Sequence, residues 1–442
     1  MSDSQGQSDE LPPEWDTLSG AERAVDGFLR GAHLAAAHEL PPLVAQHAQV
    51  LGGSDAVVYL ADLQQTQLVP FLGPAASSAH AHPQPLLIDT TLAGLAFQRS
   101  DVLSQRDEDI ADAPHPGHGV RLWIPLIDGT ERLGVLGLIV DEDAARHDPL
   151  LRLRLWRFAT LVAEVIMTKT LYGDAIVLAR RQAPMALAAE IQWGLLPPLT
   201  FACQAVVVAG ALEPAYEVAG DSIDYAVDAG VTRFAVFDSM GHGLHSATLS
   251  ALAVAAYRNA RRSARSLTMT ADAIDIAITD VFGGEMFATA VVAELDTDSG
   301  VLSWINAGHP EPLLLRDHHI VKPLRIPPGL PFGLDLTPQP EPYQIGTVRL
   351  QPGDQVLLYT DGVIEARSPT GEFFGLDRLI DLITRHDAAG LSPAETMRRV
   401  VRSLLQHQQS QLSDDASLLL VDYRSGAQDL LMPEDLPLPR TS

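Results

Sequence analysis

Cysteine is almost absent from this chain. Cys203 is the only one in 442 residues, so no intrachain disulfide can form and a reducing compartment suits the protein. With no thiol before position 203, cysteine-linked chromophores and cysteine redox sensing are excluded from the first half. Positive charge is scarce as well: 30 Lys and Arg against 56 Asp and Glu give a formal net charge of −26. Nucleic acid and anionic membrane surfaces would repel such a chain, and neither is an expected partner. Uninterrupted apolar runs near the ~20 residues that span a bilayer are also missing. The first 14 residues are polar and acidic, unlike a signal peptide. These absences predict a soluble, cytoplasmic protein. Its length is too great for one core and predicts two domains.

Against this background, four acidic stretches stand out in the second half: Gly220-Asp221-Ser222-Ile223-Asp224, Asp238-Ser239-Met240-Gly241-His242-Gly243, Thr360-Asp361-Gly362 and Ser413-Asp414-Asp415. Any one Asp-Gly or Gly-Asp pair is ordinary turn chemistry. Here each flanks an apolar run that reads as a strand, so each places a carboxylate at a strand end. Carboxylates gathered in this way repel one another unless a hard cation lies between them. All-oxygen ligation suits Mg²⁺ or Mn²⁺ rather than zinc, and it points to a two-metal hydrolytic site.

Residues from about 190 to 423 resemble the metal-dependent PPM-type serine/threonine phosphatases, in the SpoIIE-like branch with the RsbU-type regulators. The resemblance is carried by Ala-Gly-Asp-Ser-Ile-Asp (219–224), Asp-Ser-Met-Gly-His-Gly (238–243), Asn-Ala-Gly-His-Pro (306–310), Tyr-Thr-Asp-Gly (359–362) and Asp-Asp-Ala-Ser (414–417). It implies an α+β fold, an αββα β-sandwich, holding two Mn²⁺ or Mg²⁺ ions. It further implies that Asp221 and Asp238 bridge the ions, that the Ser239 carbonyl ligates one, and that Asp361 and Asp414 complete the other shell. Asp415 and Asp224 would support these ligands. His242, between two glycines, could serve as a general acid, but reads more simply as a residue that packs at the helix start and holds the turn by hydrogen bonding, since a metal-bound hydroxide needs no protein base. The implied substrate is a phosphorylated regulatory protein, a STAS-domain anti-anti-sigma factor. Two rival readings stay open: an inert scaffold that signals by binding, and a nucleotide or small phosphoester hydrolase on the same site. For the second, Arg258, Arg261 and Arg262 could serve a nucleotide, although a solvated helix end accounts for them more simply.

The first half alternates helices and strands. Asp128-Gly129 between Val120–Ile127 and Arg132–Val140 is a hairpin signal. The order resembles an α/β GAF-like sensor domain, which would take an unidentified small molecule. His80, His82, His115 and His118 read as solvated loop histidines. The expected organisation is a disordered tail over 1–20, the sensor over 21–170, a helical linker over 171–198, the phosphatase over 199–424 and a loose tail over 425–442. Leu151, Leu155, Phe158, Val162 and Val165 form a helical seam that would pair with a second copy as a homodimer or pack on the sensor sheet. Gln192, Leu195, Leu196 and Pro197 resemble the family element that relays sensor state to the metals.

Overall fold

The computed structural model describes residues 19–73, 83–106, 119–148, 150–213, 216, 220–334, 343–409 and 415–431. The four histidines at 80, 82, 115 and 118, Asp414 and most of both expected tails lie outside these residues. The chain divides into two compact units, with the break between Arg181 and Gln182. The segment read as a linker, 171–198, is therefore shared between them.

The N-terminal unit runs α1 (Gly20–Leu34), α2 (Leu40–Val50), β1 (Gly53–Ala61), β2 (Gln67–Phe71), β3 (Leu86–Leu87), α3 (Leu92–Arg99), β4 (Leu103–Arg106), β5 (Gly119–Asp128), β6 (Glu131–Asp141), α4 (Glu142–His147), α5 (Leu151–Thr170) and α6 (Ala175–Arg180). Its strands form one sheet in the order β3-β2-β1-β6-β5-β4. Residues of alternate parity serve opposite faces. Val58, Leu60, Leu122, Ile124, Leu136 and Leu138 meet the helical layer of α1, α2 and α5. Tyr59, Trp123 and Val135 meet α3 through Phe97.

The seam on α5 settles on this sheet. Leu151, Leu155, Phe158 and Val162 are buried in the unit's own core, with Val165 packed against it. The pairing with a second copy expected through these residues is therefore corrected: the apolar stripe covers the sheet of its own chain, and a dimer would have to use another surface. Leu155→Ala should accordingly destabilise the N-terminal unit by about 2–5 kcal/mol through lost burial and the cavity left behind. Thermal unfolding followed by circular dichroism measures this.

The second unit opens with α7 (Leu187–Leu195), β7 (Thr200–Ala202), β8 (Val206–Glu213), β9 (Asp221–Asp228) and β10 (Val231–Ser239). Next come α8 (Leu244–Arg262), α9 (Leu267–Phe282), β11 (Ala288–Asp296), β12 (Val301–Ala307), β13 (Leu313–Arg316), β14 (His319–Pro323) and β15 (Gly346–Arg349). It closes with β16 (Gln355–Tyr359), α10 (Asp361–Ile364), α11 (Leu376–Ala388), α12 (Pro393–His407) and β17 (Ala416–Tyr423). Two antiparallel sheets result, ordered β15-β12-β11-β10-β9 and β14-β13-β16-β17-β8-β7. Ile223, Phe234, Val236, Val291 and Trp304 of the first sheet face Val208, Val356, Leu358, Leu419 and Val421 of the second. On the outer faces, α8 and α9 cover the first sheet through Leu249, Val254, Tyr257, Ile274 and Ile278. Leu379, Ile383, Met397, Val400 and Leu404 of α11 and α12 cover the second. This is the helix–sheet–sheet–helix layering that the resemblance implies.

Candidate functional site

Strand parity decides which carboxylates can meet. In β10 and β9, Phe234, Val236 and Ile223 point into the sandwich. Asp238 shares the parity of Phe234 and Val236, and Asp221 shares that of Ile223. The two aspartates are also direct Cα partners across the β9–β10 pair. Residues so placed have Cβ atoms about 4.5–5.5 Å apart, and like charges there repel. Both strands extend further than their apolar runs suggest, so these residues sit inside paired backbone rather than in loops.

Asp415, immediately before β17, closes the group from the other sheet. Its Oδ2 accepts the backbone N–H of Gly220 and, at 3.1 Å, that of Asp221. Thr360 completes the frame: its hydroxyl donates to Asp221 Oδ2 at 2.7 Å and accepts the N–H of Ser417 at 2.9 Å. Asp361 follows at the start of α10, exposed to solvent. Burial first, and then the charges of Asp238 and Asp415, push the Asp221 carboxyl well above the usual carboxylate range, against the lowering effect of the Thr360 hydroxyl bond. An oxygen-rich donor set whose charges repel one another fits a hard divalent cation. Among the described residues no three acidic, His or Cys side chains form a closed ligand group by themselves. Asp414, the remaining expected ligand, lies outside those residues.

Ser239 lies at the end of β10, where its carbonyl accepts the Ser246 hydroxyl at 3.0 Å and its N–H donates to Gly220 O at 3.2 Å. A Cβ at position 220 would stand 2.6 Å from Ser246 Oγ and 3.1 Å from that carbonyl, so any side chain there would force the Ser246 hydroxyl off the Ser239 carbonyl. Gln192 reaches the site from α7. Its amide Nε2 donates to Asp221 O at 2.8 Å and to Asp415 Oδ2 at 3.3 Å. Leu195 O, one turn on, accepts Arg258 Nη2 at 2.5 Å. Leu196 packs on the sandwich core, and Pro197 is half-buried.

Two expectations are corrected. Asp224 lies on the outer face of β9, opposite in parity to Asp221, and serves no ligand. Its carboxylate is held by Arg258 at 2.8 Å and Arg261 at 2.9 Å. Those arginines are thus partners of a buried carboxylate rather than a solvated helix end. His242 is exposed and hydrogen-bonds to none of the described residues, so it does not hold the turn.

Thr360 lies within the Tyr-Thr-Asp-Gly motif, but nothing in the sequence assigns it a role. Its function follows from the way the end of β16 meets β17 beside Asp221. His309 has a positioning role. Its Nδ1 meets the Thr289 hydroxyl at 2.8 Å and its Nε2 meets Tyr359 O at 3.1 Å, next to Thr360. Asn306 braces the turn through the His309 N–H and carbonyl, both at 2.8 Å. Burial pushes the imidazole pKa from 6.5 down to about 4. An unfolded chain then binds a proton in this window that the folded chain does not, so stability falls as pH drops below 6.5. Between about pH 7.5 and 5 the loss from this residue should be roughly 2 kcal/mol. His309→Gln should flatten the pH dependence by that amount in urea unfolding at the two pH values.

Comparison with known proteins bears on the same region. Residues 228–424 match the family described as stage II sporulation protein E (SpoIIE). The chain is 33% identical over 140 residues to Protein IcfG of Synechocystis sp., covering 32% of this chain and 21% of that protein. To the phosphoserine phosphatase RsbP of Bacillus subtilis it is 27% identical over 217 residues, 47% of this chain and 50% of RsbP. To the phosphoserine phosphatase RsbU of the same organism it is 24% identical over 241 residues, 54% of this chain and 70% of RsbU. The chain thus spans about a fifth of IcfG and half of RsbP. With its layered sandwich and its converging carboxylates, the second unit carries a SpoIIE-type PPM phosphatase domain, homologous to those of RsbP and RsbU.

Proposed function

We propose that the chain is a metal-dependent protein serine/threonine phosphatase controlled by its N-terminal unit, a GAF-like sensor for a small molecule. Its substrate would be a phosphorylated regulatory protein, a STAS-domain anti-anti-sigma factor. The observation that carries this reading is the meeting of Asp221, Asp238 and Asp415 from two sheets at one end of the sandwich.

Asp221, Asp238, Asp361, Asp414 and the Ser239 carbonyl would hold two Mn²⁺ or Mg²⁺ ions. Such ions supply an activated water and positive charge against a phosphoryl group. The protein supplies orientation. Thr360 fixes the rotamer of Asp221, Asp415 ties down the Gly220–Asp221 backbone, and His309 anchors the strand end before Thr360. Through Gln192, α7 touches the same backbone, which supports a role for this helix in carrying sensor state to the carboxylates.

A metal centre held by carboxylates would bind the phosphoryl group rather than the sequence around it, so specificity must come from contacts remote from the phosphate. A folded phosphorylated STAS-domain protein should exceed a short phosphopeptide in kcat/KM by at least about tenfold, which is ~1.4 kcal/mol of remote binding energy. Phosphate release with Mn²⁺ measures both. Equal values would overturn the substrate assignment, and no release from any phosphoprotein would overturn the enzymatic one.

A further inference from the structure

The outward face of the second sheet ends in a polar pair. Leu357 and Leu420 point to α11 and α12, and Gln355 and Asp422 continue these two rows as direct Cα partners of β16 and β17. Both are buried, at 6% and 1% exposure. The Gln355 amide Nε2 donates to Asp387 Oδ1 of α11 and to Asp422 Oδ2, each at 3.0 Å. Its two protons are thereby spent, whereas its buried Oε1 accepts no hydrogen bond. His318, in the β13–β14 turn, has Nδ1 2.5 Å from the other oxygen of Asp387. One amide thus bridges two carboxylates, and one of these reaches the hairpin.

The other charges of the surrounding elements are engaged elsewhere. On β8 the Cα partner of Asp422 is the apolar Val207. On α12, Glu395 holds Arg398 and Arg399 at 2.9 and 2.8 Å. On α11, Arg385 pairs with Asp381, and burial, then Arg399 and Arg385, hold the His386 imidazole below its usual pKa. Past β17, Arg424 turns to Thr297 O. The charge that bears on Asp422 is therefore the like charge of Asp387. Burial first, with Asp387 adding to it, pushes the Asp422 carboxyl from 3.8 up to about 6, against hydrogen bonds from Ser425 and Gln355. Among the groups bonded to the Gln355 amide, only a protonated carboxyl can donate back to Oε1. A proton on Asp422 would do so beside the existing N–H···Oδ2 bond, closing a two-bond ring between acid and amide, and would remove the repulsion with Asp387. Its loss leaves two carboxylates on one amide, and Asp387 lies in the last turn of α11, where the helix dipole also disfavours negative charge.

We propose that Gln355, Asp422, Asp387 and His318 form a proton-operated latch: with Asp422 protonated, the C-terminal end of α11 and the β13–β14 turn are held to the second sheet, and with Asp422 ionised they are loosened. A carboxyl raised in the folded state stabilises in acid, and that contribution is lost as pH rises through about 6. His318 acts in the same sense, since its ring attracts Asp387 only while protonated.

The test needs neither metal nor substrate and is independent of the phosphatase reading. Hydrogen exchange of the full chain in chelator is followed at pH 5 and 7.5 over α11 and the β13–β14 turn, corrected for the intrinsic pH dependence of exchange. Protection should be about tenfold higher at pH 5, the ratio that a carboxyl moved from 3.8 to about 6 gives between these values. Asp422→Asn copies the neutral acid, because its amide can donate to Gln355 Oε1 and accept from Nε2, so it should keep the higher protection at both pH values. Infrared spectra of the wild type should show a protonated-carboxyl band that titrates near pH 6 and is missing from Asp422→Asn. In Asp387→Asn, which removes the like charge, the same band should titrate at lower pH. Protonation of His309 is common to all three proteins and cancels in the comparison. Equal wild-type protection at the two pH values, lower protection in Asp422→Asn than in the wild type at pH 7.5, no titrating band that Asp422→Asn removes, or an unmoved midpoint in Asp387→Asn would each overturn the proposal.

Discussion

Asp238→Asn should lower Mn²⁺-dependent phosphate release by at least about 10²-fold, because a weakened cation takes with it both the activated water and the charge that opposes the phosphate. The substitution keeps the side-chain volume and removes only charge. Asp221→Asn should lose at least as much activity while moving stability the other way. Asp221 is buried, faces Asp238 across the strand pair and feels Asp415, so its ionised form costs folding free energy when no cation is present. In chelator the Asp221→Asn variant should unfold at a higher temperature than the wild type, since its amide oxygen can still accept from Thr360. Parallel melting and turnover assays separate the two effects. Near-normal turnover in Asp238→Asn would remove the metal assignment.

Gly362→Ala should be almost as damaging without touching a carboxylate. A Cβ there would stand 1.8 Å from the backbone oxygen of Asp415, and backbone cannot turn aside as a side chain can. Either the start of α10, with Asp361, or the start of β17, with Asp415, must move. Displacement by about 1 Å at a reacting centre can cost ~10² in rate, and overpacking of this kind costs about 1–3 kcal/mol in stability. The expected result is a folded protein with a lowered melting temperature and a rate down by about two orders of magnitude. Unchanged kinetics would mean that α10 does not place a functional group.

The features legible in the sequence are those with local signatures. Strand-then-carboxylate runs locate Asp221, Asp238 and Asp361, and the Asp128-Gly129 turn locates the β5–β6 hairpin. Facing is harder to read. Asp221 and Asp224 look alike in one short stretch, and only the start of β9 at Asp221, earlier than the apolar residues suggest, puts them on opposite faces. The α5 seam has the right spacing for a coiled coil and also for a helix on a sheet, and spacing alone cannot separate the two. Thr360 and the Arg258–Asp224 pair depend on partners tens to hundreds of positions away.

The placement of β17 has a consequence for how the protein comes into being. This strand lies inside its sheet, between β16 and β8, and Asp415 just before it meets a backbone amide 195 positions earlier. During synthesis, β8 and β16 must therefore wait with open edges until residue 423 has left the ribosome. Pairings that distant are slow to form, and waiting edges invite pairing between chains. A fragment ending before Ala416 should accumulate as aggregate rather than as a weaker enzyme, and full-length yield should depend on chaperone supply more than the stability of the finished fold would suggest.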